Sequence, residues 1–304
     1  MPLAVCTHLY YFERLQNYKF LNQNTMKSYS QSPLPFQGQK RNFVKAFRES
    51  LTHYSDAYTY VDLFGGSGLL SHTVKTVFPN AKVVFNDYDN FKQRLKSIEK
   101  TNKLLEQLRG ILANYPRKQP ITGEARASVL SAIKEVDKRG YVDYITLSSN
   151  LLFSMNYSVT LKGFDKASLY NKVRLSNYSG TGYLEGVNVI RADYKAIFNE
   201  FKNVDKVVFL VDPPYLSTDT ATYASNGYWK LRDYLDVLQV LVNQNYFYFT
   251  SNKSQIVELC EWISTVSTTA NPFANAVRNE HQTYTSHNTG YVDIMYHYKK
   301  STDE

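Results

Sequence analysis

Asp212, Pro213, Pro214 and Tyr215 end the apolar run 207–211, and within four positions they offer a carboxylate, two rigid residues and an aromatic ring. Each proline fixes its φ and lacks an N–H, so the loop can turn carbonyl oxygens outward with few competing donors. An exocyclic amino group could donate to the Asp212 carboxylate and the Pro213 carbonyl together, with the Tyr215 ring as a flat face for the base. Those acceptors would draw nitrogen lone-pair density out of the ring's π system and toward an electrophile. A structural aspartate in a proline turn is the plainer reading of such a triplet; the preceding strand and the tyrosine weigh against it.

The elements around this run decide where it sits. Residues 207–211 form a continuous β-branched and apolar stretch, the pattern of a strand buried on both faces of a parallel sheet. Asp212 then lies at the strand's carboxyl end, where open α/β sheets bind ligands. Upstream, Thr59 to Phe64 reads as a strand running into the turn Gly65, Gly66, Ser67, Gly68. Glycines there let backbone approach a ligand closely. Leu69, Leu70, Thr73, Val74 and Val77 make one face of a following helix, and Lys82 to Phe85 a second strand ending at Asn86 and Asp87. An acid about 20 positions past the glycines is the spacing at which nucleoside-binding sheets meet ribose hydroxyls. A dinucleotide fingerprint is disfavoured because Ser71 stands where Gly or Ala is needed, and without Gly-Lys-Ser/Thr the turn is no P-loop. Asp87 is thus a candidate for ribose hydroxyls, Asp193 for an adenine amino group and Asp62 for the amino group of a methionine-like moiety. Asp62 and Asp193 equally suit a structural turn or cap.

The helix pattern through Phe43, Val44, Phe47 and Leu51 precedes this unit, and helical spacing dominates from about 92 to 156. Between 157 and 186 the chain is polar and glycine-rich, suited to a small β-hairpin or adaptable loop. Strand patterns resume at 187–190, 246–249 and 292–296. The expected architecture is α/β: residues 31–95 and 187–304 make one sheet domain, 96–186 a mostly helical insertion, and 1–30 a peripheral extension. The 304 residues, 43% of them hydrophobic, suffice for a real core. Cys6 and Cys260 match no metal spacing and are expected as reduced thiols in the cytosol, with no metal site. The amino terminus lacks a signal-peptide pattern, and no apolar window is long enough to span a membrane. Net charge is +8, and residues 91–120 hold eight Lys or Arg against two acids, a local +6. Such a stretch suits a phosphate-facing surface as well as a solvated helix face.

In this order the motifs resemble the Dam-type class of DNA adenine-N6 methyltransferases, from about residue 35 to 300. The family's FxGxK-like segment is matched by Phe36, Gly38 and Lys40, and its DxFxGxG turn by Asp62, Phe64, Gly66 and Gly68, with Gly65 and Ser67 between. Its strand-two acid is matched by Asp87, its third cofactor carboxylate by Asp193, DPPY by Asp212 to Tyr215, and the later SN by Ser251 and Asn252. The resemblance implies a Rossmann-like class I methyltransferase sheet with an inserted target-recognition domain, S-adenosyl-L-methionine as cofactor, and methylation of a flipped-out adenine at N6 in double-stranded DNA. Cytosine-C5 chemistry would need a nucleophilic cysteine, commonly beside proline, and neither cysteine has one. Cytosine-N4 enzymes more often carry Ser at the position of Asp212, and glutamine methyltransferases Asn.

The family's GATC-reading hairpin pattern is absent from residues 156–183, so that specificity is not carried over. Candidates for DNA contact are Lys92, Arg94, Lys96, Lys162, Lys172, Arg174 and Tyr178. The expectation is a cytoplasmic monomer, acting alone, in a virus, or beside a cognate restriction endonuclease. Rival readings are a catalytically idle DNA-binding protein on the same fold, and methylation of RNA adenine or a protein amide in the same pocket.

Overall fold

The computed structural model describes residues 26–153, 156–215, 229–266, 271–284 and 290–301. Most of the expected amino-terminal extension, Cys6, part of the predicted 92–156 helical stretch and the segment after Tyr215 lie outside the described residues. Seven strands form one sheet in the order β5-β2-β1-β6-β7-β9-β8: β1 (Thr59–Asp62), β2 (Lys82–Asn86), β5 (Asn188–Ile190), β6 (Val207–Val211), β7 (Asn245–Ser251), β8 (Val277–Tyr284) and β9 (Gly290–Tyr298). The first five pair in parallel; β9 runs antiparallel to β7, and β8 to β9. With flanking helices this is the Rossmann-like α/β sheet expected from the motifs.

Both sheet faces are covered, which is why β6 reads as unbroken apolar sequence. On one face Phe47 and Leu51 of α1 (Val44–Leu51) and Leu70 and Val74 of α2 (Leu69–Val77) pack on Tyr60, Val83, Val208 and Leu210. On the other, Ile197 of α8 (Tyr194–Phe201), Val237 of α9 (Leu231–Leu238) and Ile256 of α10 (Gln255–Val266) pack on Val61, Phe209, Val211 and Tyr248. Burying each large aliphatic or aromatic side chain contributes about 1.5–3 kcal/mol. The five buried residues of β6 therefore anchor the loop that carries Asp212.

Between β2 and β5 the chain forms α3 (Phe91–Lys96), α4 (Ile98–Ile111), α5 (Gly123–Asp137), α6 (Tyr144–Leu151) and α7 (Leu161–Lys166). Leu105, Leu108, Val129, Ile133, Leu147 and Phe164 share one apolar cluster, which Phe85 joins to the sheet. Residues 171–186 hold neither helix nor strand, as a loop would, but the hairpin expected within 157–186 is a correction. That stretch begins with helix α7 and then a two-residue strand, β4 (Leu169–Tyr170), which pairs antiparallel with β3 (Pro120–Ile121) some fifty residues earlier. The short strand has a partner too distant for any local turn signal. Strand β8 had no predicted counterpart, because an edge strand exposed along most of its length carries no apolar alternation. Among the described residues no helix is long and apolar enough to cross a membrane.

Candidate active site

The strand order reverses between β1 and β6: the chain builds outward from β1 through β2 to β5 on one side, and from β6 through β7 on the other. Crevices at the carboxyl ends of strands beside such a reversal are where open α/β sheets bind ligands. Asp62 closes β1 opposite Leu210 of β6, and Asp212 follows two residues beyond that pairing. The two carboxylates, 150 positions apart in sequence, thus stand together at the reversal.

A cavity of about 240 Å³ opens there, lined by Phe36, Gly38, Phe64, Gly65, Asn86, Asp89, Asp193, Tyr194, Asp212, Pro214, Trp229 and Asp233. Its size is several times the ~30 Å³ share of a water molecule. The glycine turn is packed where it meets strand β2. A Cβ on Gly65 would lie 2.0 Å from the Phe85 ring and 2.8 Å from the Asn86 carbonyl oxygen. Gly66 and Gly68 hold φ of 51° and 72°, the left-handed region that suits glycine. Gly68 caps the amino end of α2, and the buried Ser67 supplies the carbonyl that accepts from the Tyr183 hydroxyl at 2.9 Å.

Electrostatics centre on Lys40. Its ammonium lies 2.6 Å from Asp212 Oδ2, donates to the Gly38 carbonyl at 2.6 Å, and stands 5.1 Å from the centre of the Tyr215 ring. Burial pushes the Asp212 carboxyl up to about 6, against the lowering field of Lys40. Asp62 accepts from the Ser71 hydroxyl at 2.7 Å through Oδ2, while its buried Oδ1 has no hydrogen-bond partner. Burial raises Asp62 to about 7, and the charge of Asp212 adds to the rise. Asp293 on β9, also raised by burial, completes a group of three carboxylates around one ammonium among the described residues. Of these three Asp212 lines the cavity, with Asp89, Asp193 and Asp233 against Lys195, and a wall so charged favours a cation; Asp62 lies buried behind it, with the Phe64 backbone also bearing on its carboxyl.

The sequence pattern of the family described as D12 class N6 adenine-specific DNA methyltransferase matches residues 36–236. The chain belongs to this family. A Haemophilus influenzae protein named "Putative methyltransferase" is 35% identical over 243 residues, covering 78% of this chain and 81% of the other. In this D12 methyltransferase the matched region runs from Phe36, through both carboxylates of the strand reversal, to Asp236 in α9.

Several residues singled out from sequence sit elsewhere than expected. Asp87 is a correction: it is buried, and its two carboxylate oxygens accept the backbone N–H groups of Phe91 and Lys92 at the start of α3, so it is absent from the cavity wall. Strand β2 ends one residue before it, and the helix that follows takes its carboxylate as a cap. The acid that does face the cavity is Asp89. Asp193 accepts from the Lys195 N–H as the cap of α8 and also lines the cavity. Arg94 is a second correction. Only 3% exposed, it pairs with Asp143 at 3.0 Å and donates to the Pro35 carbonyl and the Thr146 hydroxyl, so it holds α6 to the Phe36 segment and cannot reach a surface partner. Tyr178, 8% exposed, is a third: its hydroxyl accepts from Asn150 and its ring lies beneath Arg174. Lys92, Lys96, Lys162 and Arg174 are exposed, and Lys172 is half-buried.

Sequence reasoning missed Asp89, Tyr194, Trp229 and Asp293. Counting two residues past Asp87 would have reached Asp89. Trp229 and Asp293 carried no motif, since they enter through packing of α9's amino end and of β9. The site also implies a pH signature in the absence of ligand. The folded Asp62 holds its proton up to about pH 7, whereas an ordinary carboxyl releases it near 3.8. Between those values the folded state binds more protons than the unfolded one, so this group's contribution to stability falls as pH rises. Asp62→Asn removes that fall. Its melting temperature relative to wild type is expected to climb between pH 4 and 7 and stay level above 7, and a difference independent of pH would contradict the assignment.

Proposed function

We propose that this methyltransferase transfers a methyl group from S-adenosylmethionine to the N6 amino group of an adenine in duplex DNA, with the base turned out of the helix to meet Asp212 and Tyr215. The meeting of Asp62 and Asp212 around Lys40, on a cavity walled by the glycine turn, is the observation that carries this reading. When bound, S-adenosylmethionine supplies an electrophilic methyl on a cationic sulfonium, which suits three carboxylates facing one ammonium. Asp89 would accept from its ribose hydroxyls and Asp193 from its adenine amine, while Asp62, buried and off the cavity wall, would brace the glycine turn through Ser71. Phe64, Tyr194 and Trp229, with ring centres 4.8–6.0 Å apart, would hold the adenine ring.

Toward the target, Asp212 and the Pro213 carbonyl accept from the amino group and Tyr215 stacks on the base. Lys40 keeps Asp212 ionised by occupying Oδ2, which leaves Oδ1 to receive the proton that the nitrogen sheds as its bond to the methyl carbon forms. An adenine paired within a duplex cannot enter a crevice at the sheet edge, so it must flip out, at a cost of a few kcal/mol. The helical insertion, 96–186, would choose the sequence around it. We place the protein in the cytosol as a monomer, acting alone or with a restriction endonuclease of the same specificity.

Tritiated methyl incorporation into mixed-sequence duplex DNA, followed by nucleoside analysis, tests the proposal. Label in N6-methyladenine is expected; label confined to cytosine, RNA or protein, or none at all, would overturn it. Cofactor binding has an optical readout. The chain's two tryptophans differ in place, Trp229 in the cavity wall and Trp262 60% exposed on α10. S-adenosylmethionine is expected to change the fluorescence of a Trp262→Phe protein and leave that of Trp229→Phe unchanged. Trp229→Ala should weaken binding about tenfold, since an aromatic stack contributes about 0.5–1.5 kcal/mol.

A further inference from the structure

Two basic stretches far apart in sequence are laced together on the helical insertion. Residues 109–118 and 169–183 contain Arg109, Arg117, Lys118, Lys172 and Arg174, and no Asp or Glu. The β3–β4 pairing brings them side by side: the Lys118 N–H donates to the Asn171 carbonyl at 2.7 Å, and the Asn171 N–H to that of Gln119 at 3.0 Å. Arg117 reaches the Val173 carbonyl, and Arg109 donates to the Arg174 carbonyl at 3.0 Å and the Asn177 side chain at 3.1 Å. Arg174 lies 4.6 Å over the Tyr178 ring, with its backbone N–H on Asn150 Oδ1.

These contacts hold the guanidinium groups in place without neutralising them. Lys103 and Lys138, on ordinary solvated helix faces, pair with Glu99 and Glu135. Among the described residues Arg109, Arg117, Lys118 and Arg174 have no carboxylate partner, and the last three are exposed. Leu175, 75% exposed, adjoins them, and Phe153, 61% exposed, packs against Tyr170 of β4. Cations held unpaired by neutral oxygens, with large apolar side chains standing in water beside them, fit a polyanion that also offers sugar and base surfaces. The same segment runs on to Tyr183, whose hydroxyl is bonded to Ser67 of the glycine turn, so this face and the cavity share one support.

We propose that Arg109, Arg117, Lys118 and Arg174 form the phosphate-binding face that seats duplex DNA, with Phe153 and Leu175 against its sugars and bases. The proposal rests on the reading of the protein as a DNA methyltransferase. Of the candidates named from sequence it keeps Arg174, and it moves the rest of the contact surface from Lys92 and Lys96 on α3 to the β3–β4 seam. The test measures binding of a fluorescein-labelled, mixed-sequence duplex against salt for the wild type, a Lys118→Gln/Arg174→Gln variant and a Lys134→Gln/Lys138→Gln control of equal net charge. Each phosphate contact contributes close to one unit to the slope of log affinity against log salt. The seam variant is expected to lose about two units of slope, so that between about 50 and 200 mM salt its affinity falls about tenfold less than the wild type's, while its cofactor-induced fluorescence change and melting temperature stay near wild type.

An unchanged slope, or an equal loss in the control, overturns the face. Tighter binding of an RNA of the same sequence through the same residues also overturns it. Failure of the wild type to methylate any DNA, with the slope difference intact, would instead remove the reading of function and leave the face standing.

Discussion

Asp212→Ala is expected to abolish methyl transfer, with a rate loss of about a thousandfold or more, while S-adenosylmethionine binding stays within a few-fold of wild type. Removing one preorganised polar group aimed at developing charge costs about 10²–10³ in rate, and in the proposed mechanism Asp212 has two such tasks, accepting from the amine and taking its proton. The cofactor's ribose and adenine groups would be met by Asp89 and Asp193 on the other side of the reversal, which is why binding survives. Filter-bound tritium from duplex DNA, beside calorimetric titration of S-adenosylmethionine, separates the two quantities. Near-normal transfer by the variant would contradict the role of Asp212; loss of both together would mean that the alanine protein had lost the pocket. Asp212→Asn keeps the shape and one acceptor oxygen but cannot take the proton, and it should fall between wild type and alanine.

Lys40→Met gives a different signature, a change in pH dependence. The Asp212 carboxyl is raised to about 6 by burial while the Lys40 ammonium, 2.6 Å away, pulls it down. An opposite charge at that range lowers a carboxyl by about one to three units, so its removal moves Asp212 up by a similar amount. In the proposed mechanism ionised Asp212 is the active form. Transfer by wild type should therefore fall as pH drops through about 6, and by Lys40→Met as it drops through a value about one to three units higher. At neutral pH the variant should be about tenfold slower and recover on the alkaline side. A loss of equal size at every pH would mean that Lys40 contributes shape or a direct cofactor contact instead of charge. Lys40→Arg, which keeps the cation, should leave the limb near 6.

The parallel sheet was legible because its central strands are buried on both faces: Val207–Val211 and, within β2, Val83, Val84 and Phe85 announce themselves as short apolar runs. The glycine turn was equally plain, since positive φ at Gly66 and Gly68 and the contact of Gly65 with Phe85 leave little choice of residue. Asp62, Asp212 and the DPPY run could be placed at strand ends from period and punctuation alone, and their order along the chain carried the family.

Other features depended on contacts between distant residues. Whether an acid at the end of β2 faces ligand or caps a helix depends on where α3 begins, and that start claims Asp87 and leaves Asp89 to the cavity. Charge read along the chain treated Arg94 and Arg117 alike. Folding buries Arg94 against Asp143, and it turns Arg117 outward onto a seam with residues fifty positions away. Lys40 acquires its partner Asp212 only through the meeting of a loop before α1 with the end of β6. Backbone chemistry and hydrophobic period are local properties, written within a few residues, and they set the strands, the turn and the class of reaction. Which charges are buried, paired or left facing solvent follows from long-range packing, and that alone decided the electrostatics of the pocket and the surface proposed to seat DNA.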